Sequence, residues 1–231
     1  MTGSTPAELS YEKELLSQYA SPDTEIEVQE IEKGAASIES YFDISLGAID
    51  LFRLIRQAHT DGIDGIVITC FGNANLDAAR EISSIPVIGS GLASVSLAAT
   101  ICRRFSIIGT LPAVRDRFEN EVWKAGLLSK LASVRTINMS VLELDNRSGS
   151  MKKAMIEEAR RAIQEDGAEV IVPGCFGMIG IAKEIQEVVQ VPVIEPAGAA
   201  MCLIETLVKL NIGQSKLAYP FPPPKERSYG F

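Results

Sequence analysis

One histidine, His59, serves all 231 residues, so the commonest metal ligand and general base is almost missing. The four cysteines, Cys70, Cys102, Cys175 and Cys202, are not spaced as zinc ligands. No metal site is expected, and in a reducing compartment four thiols read as core, catalytic or metal-binding groups rather than as a disulfide framework. Positive charge is also in short supply. Lys and Arg number 22 against 30 Asp and Glu, a net charge of −8, which argues against nucleic acid or an anionic membrane as partner. No apolar run approaches the roughly 18 residues needed to span a bilayer. The opening "MTGSTPAELSYEKELL" has neither a basic start nor an apolar stretch, which excludes a secretory signal in those residues. A cytoplasmic protein is expected. With 46% hydrophobic residues it can build a sizeable core, as one large domain or two lobes.

What the sequence does have is an internal repeat. "DGIDGIVITCFG" from Asp61 lies over "DGAEVIVPGCFG" from Asp166, which superposes Cys70 on Cys175 at a separation of 105 residues. Further on, "IPVIG" from Ile85 lies over "VPVIE" from Val191, and near the start "GSTPAELS" from Gly3 lies over "GTLPAVRD" from Gly109, both at 106. Three separated matches at a nearly constant offset indicate a duplicated lobe, with a period too long for a solenoid. Expected strands are "TEIEVQEI", "GIVITC" and "PVIGS" in the first half, then "FSIIGT", "ASVRTI", "EVIVPG" and "PVIEP" in the second. Expected helices are Pro6–Tyr19, Ser45–Thr60, Asn75–Ile82, Pro112–Ala125, Ser150–Glu165 and Ile181–Val189. In Ser150–Glu165 the apolar Ala154, Met155, Ala159, Ala162 and Ile163 recur at helical spacing.

Short β-branched runs alternating with helices predict an α/β fold: two pseudo-symmetric lobes, each a short parallel sheet flanked by helices, with the active site in the cleft between them. Residues 1–95 with 200–231 are assigned to the first lobe and 96–199 to the second. The repeat also predicts a strand that this sequence does not contain. "FSIIG" runs into "GTLPAVRD", but nothing precedes "GSTPAELS", so the natural protein is expected to carry one more strand upstream of Met1.

Ligands of open α/β sheets gather beyond the carboxyl ends of the strands, where both Cys70 and Cys175 fall. Each is followed by Phe-Gly and a helical stretch. Glycine allows close backbone approach to a ligand, and amides at a helix start favour negative charge and lower a thiol pKa. Two opposed thiols suit proton transfer at a stereocentre beside a carbonyl. One thiolate removes a proton from one face and the opposing thiol returns one to the other, with no cofactor required.

These residues carry a resemblance. "GAASIES" (Gly34–Ser40), "CFGNANLDAAR" (Cys70–Arg80), "RRFSIIGT" (Arg103–Thr110), "GCFGM" (Gly174–Met178) and "VPVIEPAGAA" (Val191–Ala200) resemble the Asp/Glu/hydantoin racemase superfamily, above all its hydantoin and allantoin racemase branch. The resemblance runs from about residue 3 to the tail and implies two α/β lobes, no cofactor, a homo-oligomer, and Cys70 and Cys175 as the acid/base pair. Phe71-Gly72 stands where amino-acid racemases of the superfamily carry Asn-Thr, which favours a 5-substituted hydantoin or allantoin as the small-molecule substrate. Gly89-Ser90-Gly91-Leu92 lacks an acidic residue that the branch often carries, and Phe176 replaces an expected alanine. Candidate substrate contacts are Ser4, Thr5, Ser37, Ile38, Phe71, Gly72, Asn73, Thr110, Phe176 and Gly177. Several have a structural alternative: Thr110 as the cap of a helix near Pro112, Asn73 as a turn residue, Phe71 and Phe176 as core. Cys102 and Cys202 are read as core residues on helices, and His59 as a surface residue. Other activities on the same scaffold stay open (amino-acid racemase, isomerase, decarboxylase), as does a non-catalytic metabolite-binding or thiol redox-sensing protein. The Pro-rich tail "YPFPPPKERSYGF" is expected to lack regular structure.

Overall fold

The computed structural model describes residues 1–144 and 149–228. The first half runs α1 (Pro6–Ser17), α2 (Tyr41–Leu46), α3 (Ala48–Thr60), β1 (Ile66–Ile68), α4 (Leu76–Ile82), β2 (Val87–Gly89) and α5 (Ser90–Ile101). The second runs β3 (Phe105–Gly109), α6 (Arg115–Lys124), β4 (Leu131–Thr136), α7 (Gly149–Asp166), β5 (Val170–Pro173), α8 (Ala182–Val189) and α9 (Pro196–Lys209). All strand pairs are parallel.

The second lobe is the more complete one. Its sheet has the order β4-β3-β5, with every residue of β3 buried between its two neighbours. On one face α7 lays down Met151, Met155, Ala159 and Ala162, an i, i+4, i+8, i+11 stripe against Ile108, Ile171 and Ile185. On the other face Phe118 and Val122 of α6 meet Phe105, Ile107 and Val172. At the sheet edge Arg135 holds Asp166 with two bonds, of 2.6 and 2.9 Å, which fastens β4 to the end of α7.

Among the described residues the first lobe has only β1 and β2, joined in the register Ile66↔Val87 to Ile68↔Gly89. Ile55 of α3, Leu76 and Ala79 of α4, and Val87 form its small core. α5 and α9 pack on each other and join the lobes through Val95, Ala98, Ala199, Ala200 and Ile204. Their small residues allow that close approach, and both boundaries drawn from the sequence, at 95/96 and 199/200, fall within these two helices.

Several expectations need correction. "TEIEVQEI" is not a strand: among the described residues 25–31 makes no backbone–backbone hydrogen bond. A strand needs a ladder partner as well as a propensity, and among the described residues no strand pairs with this segment. Residues 24–31 and 65–70 both line a cavity of about 1250 Å³ that also reaches Met1 and Ser4. The single helix expected over Ser45–Thr60 is two helices, because Ser40 and Asp43 form a capping box that starts α2 early and Gly47 ends it. "PVIEP" contributes one bridge, Ile171↔Val193, before Pro196 opens α9. Cys102 caps the end of α5 and is partly buried; Cys202, expected in the core, is exposed on α9, off the stripe of Ala197, Ala200, Met201 and Ile204.

Candidate active site

Cys70 lies two residues beyond β1 and Cys175 two beyond β5. Each opens the same kind of turn: the Cys70 carbonyl accepts the Asn73 N–H at 2.9 Å, and the Cys175 carbonyl accepts the Met178 N–H at 3.0 Å. Both thiols are free, partly buried, and line the same large cavity. A negative charge on Cys70 would push the Cys175 thiol further up.

The expected helix-start field is not what sets the Cys175 thiol. α4 and α8 begin at Leu76 and Ala182, well past the cysteines, and only a three-residue 3₁₀ turn follows Cys175 directly. Burial pushes its pKa up to about 12, against a smaller lowering by the Gly177 N–H and by Arg117.

The turn after Cys70 is tightly supported. Asn73 is buried with φ at 49°, a left-handed conformation that asparagine tolerates. Its amide is engaged at both ends: Nδ2 donates to Glu121 at 2.9 Å and Oδ1 accepts from the Leu92 N–H at 3.0 Å. Asn73 therefore holds the turn and is not among the cavity-lining residues. Phe71 packs edge-on against Phe118, centroids 4.9 Å apart, and also faces the cavity. The N–H groups of Phe71 and Gly72 meet no acceptor among the described residues, so they remain available to a ligand oxygen.

The other candidates divide. Ser4, Ile38, Thr110, Phe176 and Gly177 line the cavity. Thr110 is buried and does not cap the turn at Pro112, where Leu111 takes that position. Thr5 is the N-cap of α1, in a capping box with Glu8, and Ser37 turns to Glu39 at 3.2 Å; neither lines the cavity. Phe176 is also core, against Leu15, Leu16 and Met201. His59 sits at the end of α3 beside Ser84, away from the site.

Sequence reading missed two carboxylates and a guanidinium. Glu12 of α1 lines the cavity, bonds Thr69, and is raised by desolvation. Glu121 secures Asn73, and Arg117 of α6 lines the same cavity, where its charge lowers the Cys175 thiol. The signal was present: Val114, Phe118 and Val122 mark the buried face of that helix, and Arg117 and Glu121 fall on it. Among the described residues no cluster of His, Cys, Asp and Glu could hold a metal ion, and no helix is long and apolar enough to cross a membrane.

Comparison with known proteins agrees with this architecture. Residues 4–204 match the family model described as Asp/Glu/Hydantoin racemase. A hydantoin racemase from Pseudomonas sp. (strain NS671) is 36% identical over 208 residues, 90% of this chain and 84% of that protein. The allantoin racemase of Klebsiella pneumoniae superposes with a TM-score of 0.92 at 34% identity, over 98% of this chain and 93% of that one. The allantoin racemase of Pseudomonas fluorescens gives 0.92 at 32%, over 97% and 95%. With two strand-end thiols on one cavity and similarity along almost its whole length, the chain belongs to the Asp/Glu/Hydantoin racemase family and is an isomerase of the racemase type.

Proposed function

We propose that this protein racemises a 5-substituted hydantoin or allantoin without a cofactor, with Cys70 and Cys175 as the acid/base pair. The observation that carries the reading is the equivalence of the two cysteines: each ends a parallel strand, each begins the same turn, and both open onto one cavity. One thiolate takes the proton from the carbon beside the carbonyl. The free N–H groups of Phe71 and Gly72 stabilise the oxygen as it becomes negative, and the opposing thiol protonates the other face. Thr110, Ile38 and Phe176 are proposed to shape the pocket around the ring. A cyclic ureide suits a cavity that offers backbone amides, the Thr110 hydroxyl and the Arg117 guanidinium around the two thiols. The enzyme is further proposed to be cytoplasmic, and to be a homo-oligomer because Tyr41, Phe42, Trp123 and Leu142 are large apolar side chains left exposed.

The test is circular dichroism of (S)-allantoin, L-5-benzylhydantoin and L-aspartate in D₂O. Loss of signal on one of the two cyclic ureides with deuterium at the stereocentre, and none on aspartate, is expected. Turnover of aspartate alone would replace the ureide reading with an amino-acid one.

The pH profile follows from the buried thiol. With Cys175 near 12, its thiolate is a small fraction at neutral pH that grows tenfold per unit of pH. In a Cys70→Ser variant, deuterium exchange of the enantiomer facing Cys175 should rise about tenfold per unit between about pH 7 and 9. A flat profile there would remove Cys175 as the base.

A further inference from the structure

Among the described residues Arg117 is a buried cation with no hydrogen-bonded or ion-paired acceptor; it acts on Asp43 only at longer range. It is 5% exposed, and its Nε and Nη1 are buried with no hydrogen-bond acceptor. It is not in any ion pair among the described residues. Glu121, one turn along α6, bonds Asn73 and Lys124, and Asp43, whose carboxyl the Arg117 charge helps to hold low, accepts its hydrogen bonds from Ser40 and the Glu39 N–H.

The guanidinium does not escape to solvent. It lies on the turn after Cys70, where a Cβ on Gly72 would come within 2.9 Å of Nε, and its carbon is 5.5 Å from the Phe118 ring centroid. It lines the same cavity as Cys70, Cys175 and Thr110. Burying a charge without a counter-group is costly, and native structures leave such groups unpaired where a ligand completes them.

We propose that Arg117 is a further catalytic residue, whose guanidinium receives the carbonyl oxygen that turns negative when the substrate is deprotonated between Cys70 and Cys175. This rests on the two-thiol reading above. In the step, the C–H bond breaks and an S–H bond forms on the attacking thiolate. The freed electron pair forms a C=C bond and the carbonyl π pair moves onto oxygen. Return of the pair to carbon takes the proton from the opposing thiol, which ends as thiolate. Arg117 stays protonated throughout and donates hydrogen bonds to the oxygen. The residue therefore favours substrates whose intermediate is a planar, delocalised oxyanion, as a cyclic ureide gives.

The probe is barbiturate, a planar cyclic ureide anion without a stereocentre, measured by calorimetry on the full chain. Wild type and Cys175→Ser should bind it. Arg117→Met should bind at least about tenfold more weakly, and Arg117→Lys in between. Arg117→Met should also lose about a hundredfold in kcat with a smaller change in KM. Its melting temperature should hold or rise, because an unpaired buried charge has been removed. Retained affinity and kcat in Arg117→Met would overturn the proposal. So would a lowered melting temperature with no rescue by lysine, which would make Arg117 structural. Arg117-dependent barbiturate binding in a wild type that racemises nothing would support the oxyanion receptor and overturn the racemase reading of the site.

Discussion

Cys175→Ser is expected to abolish racemisation while leaving one half-reaction intact, and Cys70→Ser is expected to do the same for the opposite enantiomer. In the two-thiol mechanism proposed above, each thiol serves one face of the stereocentre. A variant with a single thiol can still remove and return a proton on that face, so deuterium enters one enantiomer with retention of configuration. Inversion needs a proton from the far side, which serine, a far weaker acid than cysteine, does not supply. Loss in kcat for racemisation of about 10²–10⁴-fold is expected in each variant. The melting temperature should change little, because serine is close to cysteine in size and both thiols, although they pack on core clusters, also line the cavity. NMR of the α-position with each pure enantiomer in D₂O reads both halves at once. If both variants racemise at the wild-type rate, the two-thiol mechanism is wrong. Loss of exchange of both enantiomers in both variants would mean that the thiols act as one coupled unit rather than as two independent bases.

Gly91→Ala is expected to be the most damaging single-methyl change in the molecule. Gly91 lies in the first turn of α5, and a Cβ there would stand 1.8 Å from the Phe71 carbonyl oxygen and 3.3 Å from Asn73 Oδ1. No flexible side-chain end can yield, because the obstacle is the backbone of the turn after Cys70. Either α5 moves, with its packing on α9, or the turn moves, with the Cys70 thiol. Overpacking of this kind costs about 1–3 kcal/mol where side chains can adjust, and more where only backbone can. A fall in melting temperature of about 10 °C is expected for a chain of this size. Where the variant is still folded, activity should drop by about a hundredfold, since a displacement near 1 Å at a reacting group has that effect. A melt within about 2 °C of wild type together with full activity would show that α5 and the turn can separate without cost.

Both predictions depend on features that the sequence discloses unevenly. The duplication makes Cys70 and Cys175 equivalent from residue identity alone, because matching short motifs at a fixed offset fold alike. α7 is legible for a related reason: Met155, Ala159 and Ala162 sit at helical spacing with charges between them, and they are buried as that pattern requires. α5 and α9 are not delimited by pattern, because "SGLASVSLAATI" and "PAGAAMCLIETLVK" are small and apolar on most sides and carry little periodicity. Asn73 shows the limit at the site. Its type and position fit either a ligand contact or a turn, and only the arrival of Glu121 and Leu92 from distant segments decides for the turn.

By itself the sequence determined the α/β class, the two-lobed repeat, the family and the placing of two cysteines at strand ends. The class, the repeat and the cysteine positions are local or periodic properties, written in residue type and spacing, and the family came from the resemblance of whole motifs. Tertiary structure decided what depends on neighbours distant in the chain. It left residues 25–31 without a ladder, because a strand needs a partner as well as a propensity. It set the Cys175 thiol near 12, because burial outweighs the nearby amide. It also buried Arg117, an ordinary charge on an amphipathic helix, in the cavity of the two thiols with no hydrogen-bond acceptor for Nε and Nη1 among the described residues.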